Sequence, residues 1–383
     1  MAGKPSDFGG GKRVFMQIIK NINKNHYNIF SCCSFPKNRE EELHKLGVTI
    51  RRVDMSRKMN LNSILSLMRI MRNDNIHIVH SQGALADLFS RISSALAGVP
   101  FVITSVAMLV ERYDVSKLKK MIYIGIDRLF EKTVDKFIVV SDALNRALIE
   151  RHNISHHKVV KVYNGIEIDE YKPDLKEIKN KKLEVRRELG IKNDMPVIGA
   201  IGRLVWQKGF EYLIEAVPEV LKKYPDARFL IVGEGPLKDK LKLISERTNA
   251  ADRIVFTGFR SDVKEILASI DVLAMPSLLE GLPIVLLEAM AMAKPIVATK
   301  IEGISEVLVS DKTGLLVPAK NPIALAGAIT EILNDKTKAI LLGQNARKMA
   351  EEYFSVKKMV EQTELVYEKL LNEKNNADII NSE

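Results

Sequence analysis

The feature that most constrains the fold is a repeated alternation of short β-branched runs with longer amphipathic segments. Between residues 27 and 141 five such runs occur: YNIFSCC, GVTIRRV, IHIVHS, FVITSV and DKFIVVS. Each is followed by residues with helical spacing, which is typical of βαβ units in a parallel sheet covered by helices on both faces. The sequence therefore predicts an α/β protein with doubly wound parallel sheets.

The alternation is interrupted once and then starts again. Residues 172–195 form a lysine-rich passage that also contains a proline, which we interpret as a linker. The alternation resumes with PVIGAIG, ARFLIVG, RIVF, DVLAM, KPIVAT and TGLLVP, which predicts a second doubly wound sheet. Because single cores stop growing near roughly 250–300 residues, a chain of 383 residues is expected to form two domains that face a cleft.

We predict four segments along the chain. They are an N-terminal domain (1–175), a linker (176–195), a C-terminal domain (196–350), and a C-terminal helix and tail (351–383) that packs back toward the N-terminal domain. A Rossmann-like domain normally opens with a strand. The first ten residues, MAGKPSDFGG, show no strand pattern. The sequence therefore predicts that the N-terminal domain lacks its first strand.

Charge is distributed unevenly between the two halves. Residues 1–170 hold 26 Lys and Arg against 17 Asp and Glu, a net charge of +9, and the remainder holds 32 against 31. Such a basic half is either a solvated surface or a face that meets an anionic substrate, an anionic membrane surface or nucleic acid. We expect no nucleic-acid partner, because the aromatic stacking platform of such proteins is missing.

The longest uncharged apolar run is too short for a transmembrane helix. It covers residues 99–110, whereas roughly 18–20 residues are needed to cross a bilayer, and no secretory leader opens the chain. Cys32 and Cys33 are adjacent in a strand-like run, so they point to opposite faces and cannot pair. We expect a cytoplasmic protein whose basic N-terminal half can contact the inner face of an anionic membrane peripherally.

Two motifs of the second domain fall where parallel strands end, the edge at which open α/β sheets bind ligands. In GRLVWQKG, Arg203 and Lys208 supply a rigid fork and a flexible point charge suited to a diphosphate, or they are two surface cations. In GEGP, Gly233 and Gly235 permit a tight turn before a helix, a turn common to many α/β proteins.

A third motif, EGLPIVLLEAMAMAKP at residues 280–295, places two carboxylates in an apolar stretch. Pro283 predicts the start of a helix that runs through Met292, with Glu280 in the loop before it and Glu288 inside it. A carboxylate on an apolar helix face is costly to bury unpaired. We therefore expect Glu288 to have a partner, either a ribose diol or a neighbouring lysine, and Glu280 to stand where a polar sugar can meet it.

Other candidate residues give weaker signals. His77 and His80 lie three apart in a strand and face opposite sides, so no metal site is expected there. No clean GxGxxG motif follows a strand, which argues against a dinucleotide-dependent dehydrogenase. A helix predicted at about 116–132, containing KLKKMIYIGIDRLFEK, is basic and apolar. It is either a packed helix or one that faces a membrane surface or an acceptor.

Taken in their order, the motifs resemble a known family. The matching segments run from Gly9 to about Leu371 and are GGGKR, FIVVSDAL, VYNGIEIDEYKP, GRLVWQKG, LIVGEGPLKDKL, VFTGF, and MPSLLEGLPIVLLEAMAMAKPIVAT followed by TGLLVP. The sequence is similar to retaining glycosyltransferases of the GT-B fold, family 4 or group 1, which carry two glutamates separated by seven residues. The resemblance implies two Rossmann-like domains that face a cleft.

The resemblance also implies a nucleotide-diphosphate sugar, linked to UDP or GDP, as the donor bound by the second domain. It places the implied catalytic residues Arg203 and Lys208 on the diphosphate and Glu280 on the donor sugar, with Glu288 on the ribose. The other implied donor-binding positions are Gly9 and Gly10, which would close on the diphosphate from the first domain, and Gly233, Gly235, Gly258, Phe259, Leu282, Pro283 and Ile284.

The implied reaction moves a hexose to a glycan or lipid-linked acceptor with retention of anomeric configuration. Similar enzymes use a leaving phosphate oxygen to deprotonate the acceptor, so no metal or other cofactor is expected. They also carry a histidine after the fourth strand, where this chain has Val106 in the run Thr104-Ser105-Val106-Ala107. This departure leaves an alternative, a catalytically silent relative that binds a nucleotide sugar in a glycan-assembly complex.

Overall fold

A computed structural model of the chain describes residues 10–32, 37–53, 61–112, 117–172 and 175–380. The fold divides into two compact units, one formed by Met1–Gly165 with Val356–Glu383 and the other by Ile166–Ser355. Both units contain parallel strands that alternate with helices. The predicted α/β class is therefore confirmed.

The elements are numbered in chain order. The strands are β1 (Phe30–Ser31), β2 (Thr49–Ile50), β3 (Ile78–Gln82), β4 (Phe101–Val106), β5 (Lys136–Val139), β6 (Val159–Lys161), β7 (Val197–Ile201), β8 (Arg228–Val232), β9 (Ile254–Gly258), β10 (Val272–Met275), β11 (Ile296–Thr299) and β12 (Leu315–Val317). The helices are α1 (Gly10–Asn21), α2 (Lys37–Lys45), α3 (Leu61–Asn73), α4 (Ala84–Ala97), α5 (Lys117–Glu131), α6 (Asp142–His152), α7 (Leu175–Glu188), α8 (Phe210–Leu221), α9 (Lys238–Arg247), α10 (Val263–Ser269), α11 (Ile284–Ala291), α12 (Glu302–Ser305), α13 (Pro322–Asn334), α14 (Lys336–Tyr353) and α15 (Val356–Ile380). None of these helices is both long and apolar enough to span a bilayer.

The second unit is built on one six-stranded parallel sheet in the order β12-β11-β10-β7-β8-β9. Its inner strands, such as β10 and β11, are buried along their whole length. Continuous apolar runs of this kind are typical of strands that helices cover on both faces. Helices α8 and α13 pack against each other in the core around Phe229 and Ile329. The strand order reverses between β7 and β10, which makes that pair the topological switch of the sheet.

The first unit has a four-stranded parallel sheet, β3-β4-β5-β6, and a separate parallel pair, β1-β2. One apolar cluster joins α3 and α4 around Leu67 and Phe89, and another joins α1 and α2 around Ile19 and Leu43. Helix α15 packs against α1 in this unit. The predicted absence of a first strand concerns residues 1–9, which lie outside the described residues, so it stays a prediction.

The segment predicted as a linker, residues 176–195, is mostly helix α7, and this prediction was wrong. Arg186 on α7 is buried and donates to the Ser269 carbonyl oxygen at 2.9 Å and to Asp271 Oδ2 at 2.8 Å. Helix α7 also packs against α10. The second unit consequently starts at Ile166 and includes α7.

Candidate functional site

The carboxyl ends of β7 and β10 lie side by side where the strand order of the second unit reverses. The chain continues from β7 to β8 on one side and from β10 to β11 on the other, so the two following loops separate and leave a crevice. A cavity at this point is lined by Ile201, Lys208, Phe210, Ala274, Met275, Pro276, Ser277 and Glu280. It contains two of the three residues that the sequence predicts as catalytic.

The loop after β7 carries the two predicted phosphate ligands. Arg203 is exposed two residues beyond the strand, and Lys208 closes the short 3-10 turn Trp206–Lys208. The next residue, Gly209, has φ +59°, and a Cβ there would lie 2.2 Å from the Pro276 carbonyl oxygen. Only glycine therefore allows this turn to approach the loop after β10 so closely.

Hydrogen bonds fasten the two loops to each other and to the sheet. The Gln207 carbonyl oxygen accepts from the backbone N–H of Leu278 at 2.7 Å. The Thr299 hydroxyl, at the end of β11, donates to the Ser277 carbonyl oxygen at 2.5 Å. These bonds fix the backbone that leads to Glu280, so its carboxylate is preorganised before any ligand arrives.

Lys208 and Glu280 form an ion pair in the crevice. Lys208 Nζ lies 2.6 Å from Glu280 Oε1, and the Ser277 hydroxyl donates to the same oxygen at 2.8 Å. The side chains of Lys208 and Glu280 are 22% and 8% exposed. The sequence predicts separate partners for the two, a diphosphate and a sugar, and their mutual contact is a new finding. An ammonium has three N–H donors, so two remain for an anionic ligand.

Glu288 lies inside α11 and is only 1% exposed. The Tyr171 hydroxyl donates to Glu288 Oε1 at 2.8 Å. The sequence predicts a ribose diol or a neighbouring lysine as the partner, and the structure supplies a tyrosine. Sequence reasoning missed Tyr171, although it lies in the matching segment VYNGIEIDEYKP at the end of the 3-10 helix Ile168–Tyr171.

Helix α11 starts one residue later and ends one residue earlier than predicted. Pro283 has φ −74° and ψ 129°, so it occupies the N-cap position, and the helix runs from Ile284 to Ala291. Leu282 and Pro283 are buried, and Ile284 is half-buried. Because α11 follows β10, its N-terminus lies at the carboxyl edge of the sheet, where its first N–H groups carry partial positive charge.

Gly233 and Gly235 are required for the close approach of two loops. A Cβ on Gly233, whose φ is +139°, would lie 1.9 Å from the Gly202 carbonyl oxygen. A Cβ on Gly235 would lie 2.4 Å from the Leu204 carbonyl oxygen. The two glycines therefore let the loop after β8 pack directly against the backbone of the loop after β7. Their predicted contact with a donor stays a prediction.

The remaining predicted donor-binding positions are dispersed. Gly258 ends β9 with φ +74°, and Phe259 after it is exposed. Gly10 is exposed at the start of α1 in the first unit. Gly9 lies outside the described residues. Donor contact by these four residues stays a prediction.

A histidine network lies at the end of β4, where Val106 is half-buried. His80 Nε2 lies 2.7 Å from Ser105 Oγ, and His80 Nδ1 lies 2.6 Å from the Tyr367 hydroxyl. Burial lowers the pKa of His80 to about 3, so its imidazole is neutral at physiological pH. His77, just before β3, is exposed. Across the described ranges no three or more His, Cys, Asp or Glu residues gather in a group that could hold a metal ion.

Comparison with protein families assigns both halves of the chain. The family described as "Glycosyltransferase Family 4" matches residues 8–170, and "Glycosyl transferases group 1" matches residues 181–349. The chain belongs to the group 1 glycosyltransferases. The match to group 1 contains Arg203 and every residue that lines the crevice between β7 and β10, including Lys208 and Glu280.

Two relatives of this glycosyltransferase are informative. It is 33% identical over 232 residues to "Uncharacterized glycosyltransferase MJ1607" of Methanocaldococcus jannaschii, which covers 60% of this chain and 59% of the relative. It is 26% identical over 311 residues to the UDP-Gal:alpha-D-GlcNAc-diphosphoundecaprenol alpha-1,3-galactosyltransferase of Escherichia coli, which covers 80% of this chain and 79% of the relative.

Among solved structures, the glycosyltransferase resembles that of Anabaena Alr3699/HepE in complex with UDP-glucose. The TM-score is 0.81 at 21% sequence identity, and the match covers 96% of this chain and 98% of the other. At such identity the likeness shows the fold. The fold is that of the GT-B glycosyltransferases, with two α/β units.

Proposed function

We propose that this glycosyltransferase moves a hexose from a UDP- or GDP-sugar to a glycan or lipid-linked acceptor with retention of anomeric configuration. The observation that carries the proposal is the ion pair of Lys208 and Glu280 in the cavity at the carboxyl ends of β7 and β10, with Arg203 exposed on the loop that follows β7. Two cations and one carboxylate at a topological switch suit an anionic diphosphate joined to a polar sugar. Membership of group 1 supports the same function.

The diphosphate is proposed to lie against Arg203 and Lys208, beside the N-terminus of α11. As the bond from sugar to phosphate breaks, negative charge grows on the leaving diphosphate, and preplaced cations stabilise it. Lys208 keeps two N–H donors beyond the one directed at Glu280. We propose that this charge neutralisation makes a metal ion unnecessary, so transfer should persist in EDTA.

The two glutamates are proposed to hold opposite ends of the donor. Lys208 and Ser277 occupy Glu280 Oε1, which leaves Oε2 to accept from a hydroxyl of the hexose. Tyr171 occupies Glu288 Oε1. The ribose hydroxyls are proposed to donate to the Glu288 carboxylate.

Retention follows if the acceptor attacks from the face that the diphosphate leaves. The bond between the anomeric carbon and the phosphate oxygen breaks, and a bond from that carbon to the acceptor oxygen forms. The acceptor proton passes to the departing phosphate oxygen, so the protein supplies no nucleophile. Its contribution is to stabilise the diphosphate and the positively charged sugar in the transition state.

The acceptor class is supported by the Escherichia coli relative, whose name gives a diphosphoundecaprenol-linked sugar as its substrate. A lipid-linked acceptor lies at a membrane surface. This location agrees with the net charge of +9 in residues 1–170, because anionic surfaces attract a basic one.

A panel of radiolabelled UDP- and GDP-sugars, each offered with a polyprenyl-diphosphate sugar as acceptor, tests the function. We expect one donor to raise the thermal midpoint and to be consumed, with the anomeric configuration of the product, read by NMR coupling, equal to that of the donor. An inverted product would contradict retention, and the absence of any binding would contradict the whole proposal.

A second candidate is a silent relative that binds the donor but transfers nothing, and Val106 favours it. The same panel separates the two candidates. Binding of one nucleotide sugar with neither hydrolysis nor transfer would select the silent relative. Release of UDP or GDP that depends on the acceptor would exclude it.

A further inference from the structure

Helix α5 of the first unit is attached to its neighbours through charged side chains. Arg91 on α4, which is buried, places Nη1 2.6 Å from Asp127 Oδ1 on α5. Its guanidinium carbon also lies over the Phe137 ring, 5.9 Å from the ring centroid. Removing one partner of a buried ion pair leaves an uncompensated charge, so this pair fixes which face of α5 turns inward.

A second ionic contact fixes the C-terminal end of α5. His152 on α6 is almost fully buried at its side chain, with Nδ1 2.5 Å from Glu131 Oε1 and Nε2 2.9 Å from Glu111 Oε1. Glu131 itself is buried. Both acidic residues of α5 therefore face the protein, and neither is exposed.

The outward face of α5 is apolar. Leu118, Met121, Ile122 and Leu129 are 69%, 70%, 50% and 69% exposed. Their spacing of three, four and eleven residues from Leu118 puts them on one side of the helix. Among the helices and strands described, α5 exposes more large apolar side chains than any other. A helix usually buries its apolar face, whereas α5 exposes these four apolar side chains and turns both of its acidic residues inward.

Among the residues that the structure describes, the charged side chains exposed on α5 and directly after it are positive. Lys117 and Arg128 are exposed on α5, and Lys132 follows directly after it. A second copy of the chain would bring the same positive charges against one another, which opposes self-association. An anionic bilayer offers both an opposite charge and an apolar layer, so it complements both properties of the face.

We propose that the exposed face of α5, formed by Leu118, Met121, Ile122 and Leu129 and bordered by basic residues, docks on the surface of an anionic lipid bilayer. The apolar side chains enter the boundary between headgroups and acyl chains, and the basic side chains contact the headgroups. This inference is independent of the donor site, because it concerns the first unit alone.

Flotation of the full-length chain with vesicles tests the proposal. We expect partitioning onto phosphatidylcholine vesicles that contain about 30% phosphatidylglycerol, and at least about tenfold less onto phosphatidylcholine alone. Salt near 0.5 M should release most of the bound protein, because the headgroup attraction is screened. Equal partitioning onto the two vesicle types, or none onto either, would overturn the proposal.

Two variants with a matched control locate the surface. Leu118→Ser with Leu129→Ser should reduce partitioning at least about tenfold, since each leucine contributes apolar burial. The control, Leu243→Ser with Ile323→Ser, removes two exposed apolar side chains of the second unit and should partition as the parent does. Unchanged partitioning of the α5 variant would overturn the proposal.

Three further measurements test whether a change in partitioning arises from the exposed face of α5. Circular dichroism melting should show α5 and control variants as stable as the parent, because the replaced side chains are exposed. A single variant, Arg128→Glu, tests the face by charge alone, and unchanged partitioning would again contradict the proposal. Sedimentation should show the parent as a monomer, and a dimer that the α5 variant dissociates would assign the face to a second copy instead.

Discussion

The carboxyl edge of the sheet in the second unit and helix α5 in the first unit use charged side chains in opposite ways. At the sheet edge, Lys208 and Glu280 line a crevice as an ion pair, and Arg203 on the loop after β7 is exposed. Beneath α5, Arg91 and His152 are buried against acidic partners. The first arrangement keeps donors and acceptors open to a ligand, and the second uses them to hold a helix.

The charged side chains at the sheet edge and those beneath α5 also differ in what they contribute to the stability of the fold. A polar group preorganised for a ligand adds little to folding, because its best partner arrives only on binding. A buried, fully paired group is costly to break. Substitutions of the charged side chains at the sheet edge should therefore reduce transfer without unfolding the protein. Substitutions of the buried charged side chains beneath α5 should lower stability and leave transfer largely intact.

The largest effect is expected for Glu280→Gln. The variant removes the ionic partner of Lys208 and weakens the proposed acceptor for the hexose, so the transfer rate should fall about 100-fold or more, while the thermal midpoint changes little. Initial rates with the preferred donor and a melting curve check this. The control, Glu219→Gln, breaks an exposed ion pair with Lys222 and should leave the rate unchanged. A full rate in Glu280→Gln would contradict the assignment.

Gly233→Ala tests whether the sheet edge depends on backbone packing. The new Cβ would lie 1.9 Å from the Gly202 carbonyl oxygen, so we expect the second unit to lose about 2–4 kcal/mol of unfolding free energy. Gly327→Ala is the matched control, because a Cβ there meets nothing within 4 Å and alanine favours a helix by about 0.5–1 kcal/mol. Denaturant unfolding of both variants compares them, and equal stability would contradict the packing argument.

The free energy of unfolding should depend on pH through the ion pairs of His152 beneath α5. Ion pairs with Glu111 and Glu131 raise the pKa of His152 to about 9, above about 6.5 in an unfolded chain. The stabilisation is therefore complete below about pH 6.5 and disappears as the pH rises through about 9, and we expect about 1–2 kcal/mol. His152→Gln should abolish this pH-dependent part while donor binding stays normal. Identical stability profiles for parent and variant would show that the pair does not hold α5.

The smallest expected effect is that of Tyr171→Phe. The variant removes one donor to Glu288, so the Kd for the nucleotide sugar should rise about threefold to tenfold, equivalent to about 1 kcal/mol, with kcat little changed. Tyr224→Phe is the control, since the Tyr224 hydroxyl donates to Asn334 rather than to a residue of the site. Isothermal titration measures both. Equal weakening in the two variants would mean that the effect is not specific to Glu288.

Sequence patterns predicted the strands that are buried along most of their length. The run FVITSV became β4, Phe101–Val106, without any change of bounds, because its central residues are buried and its β-branched residues favour a strand. Residues 176–195 show no such pattern, and the linker predicted there is mostly helix α7. Buried Arg186 holds α7 through carbonyl oxygens and Asp271, and Lys182 pairs with the same aspartate. Composition could not show that contact.

The candidate site was predictable in its members but not in their pairing. Arg203, Lys208 and Glu280 follow strand ends, and strand ends of a parallel sheet meet at one edge. The contact between Lys208 and Glu280 joins residues 72 positions apart, so no local spacing encodes it. Tyr171 was missed for the same reason, since its partner Glu288 lies 117 positions away.

A crystal structure of the chain with UDP or GDP bound tests the central claim most directly. We expect the diphosphate in the crevice between β7 and β10, with its oxygens within about 3.5 Å of Arg203 and of Lys208, and the ribose beside Glu288. A nucleotide bound elsewhere, or bound in this crevice with both cationic side chains directed into solvent, would contradict the account.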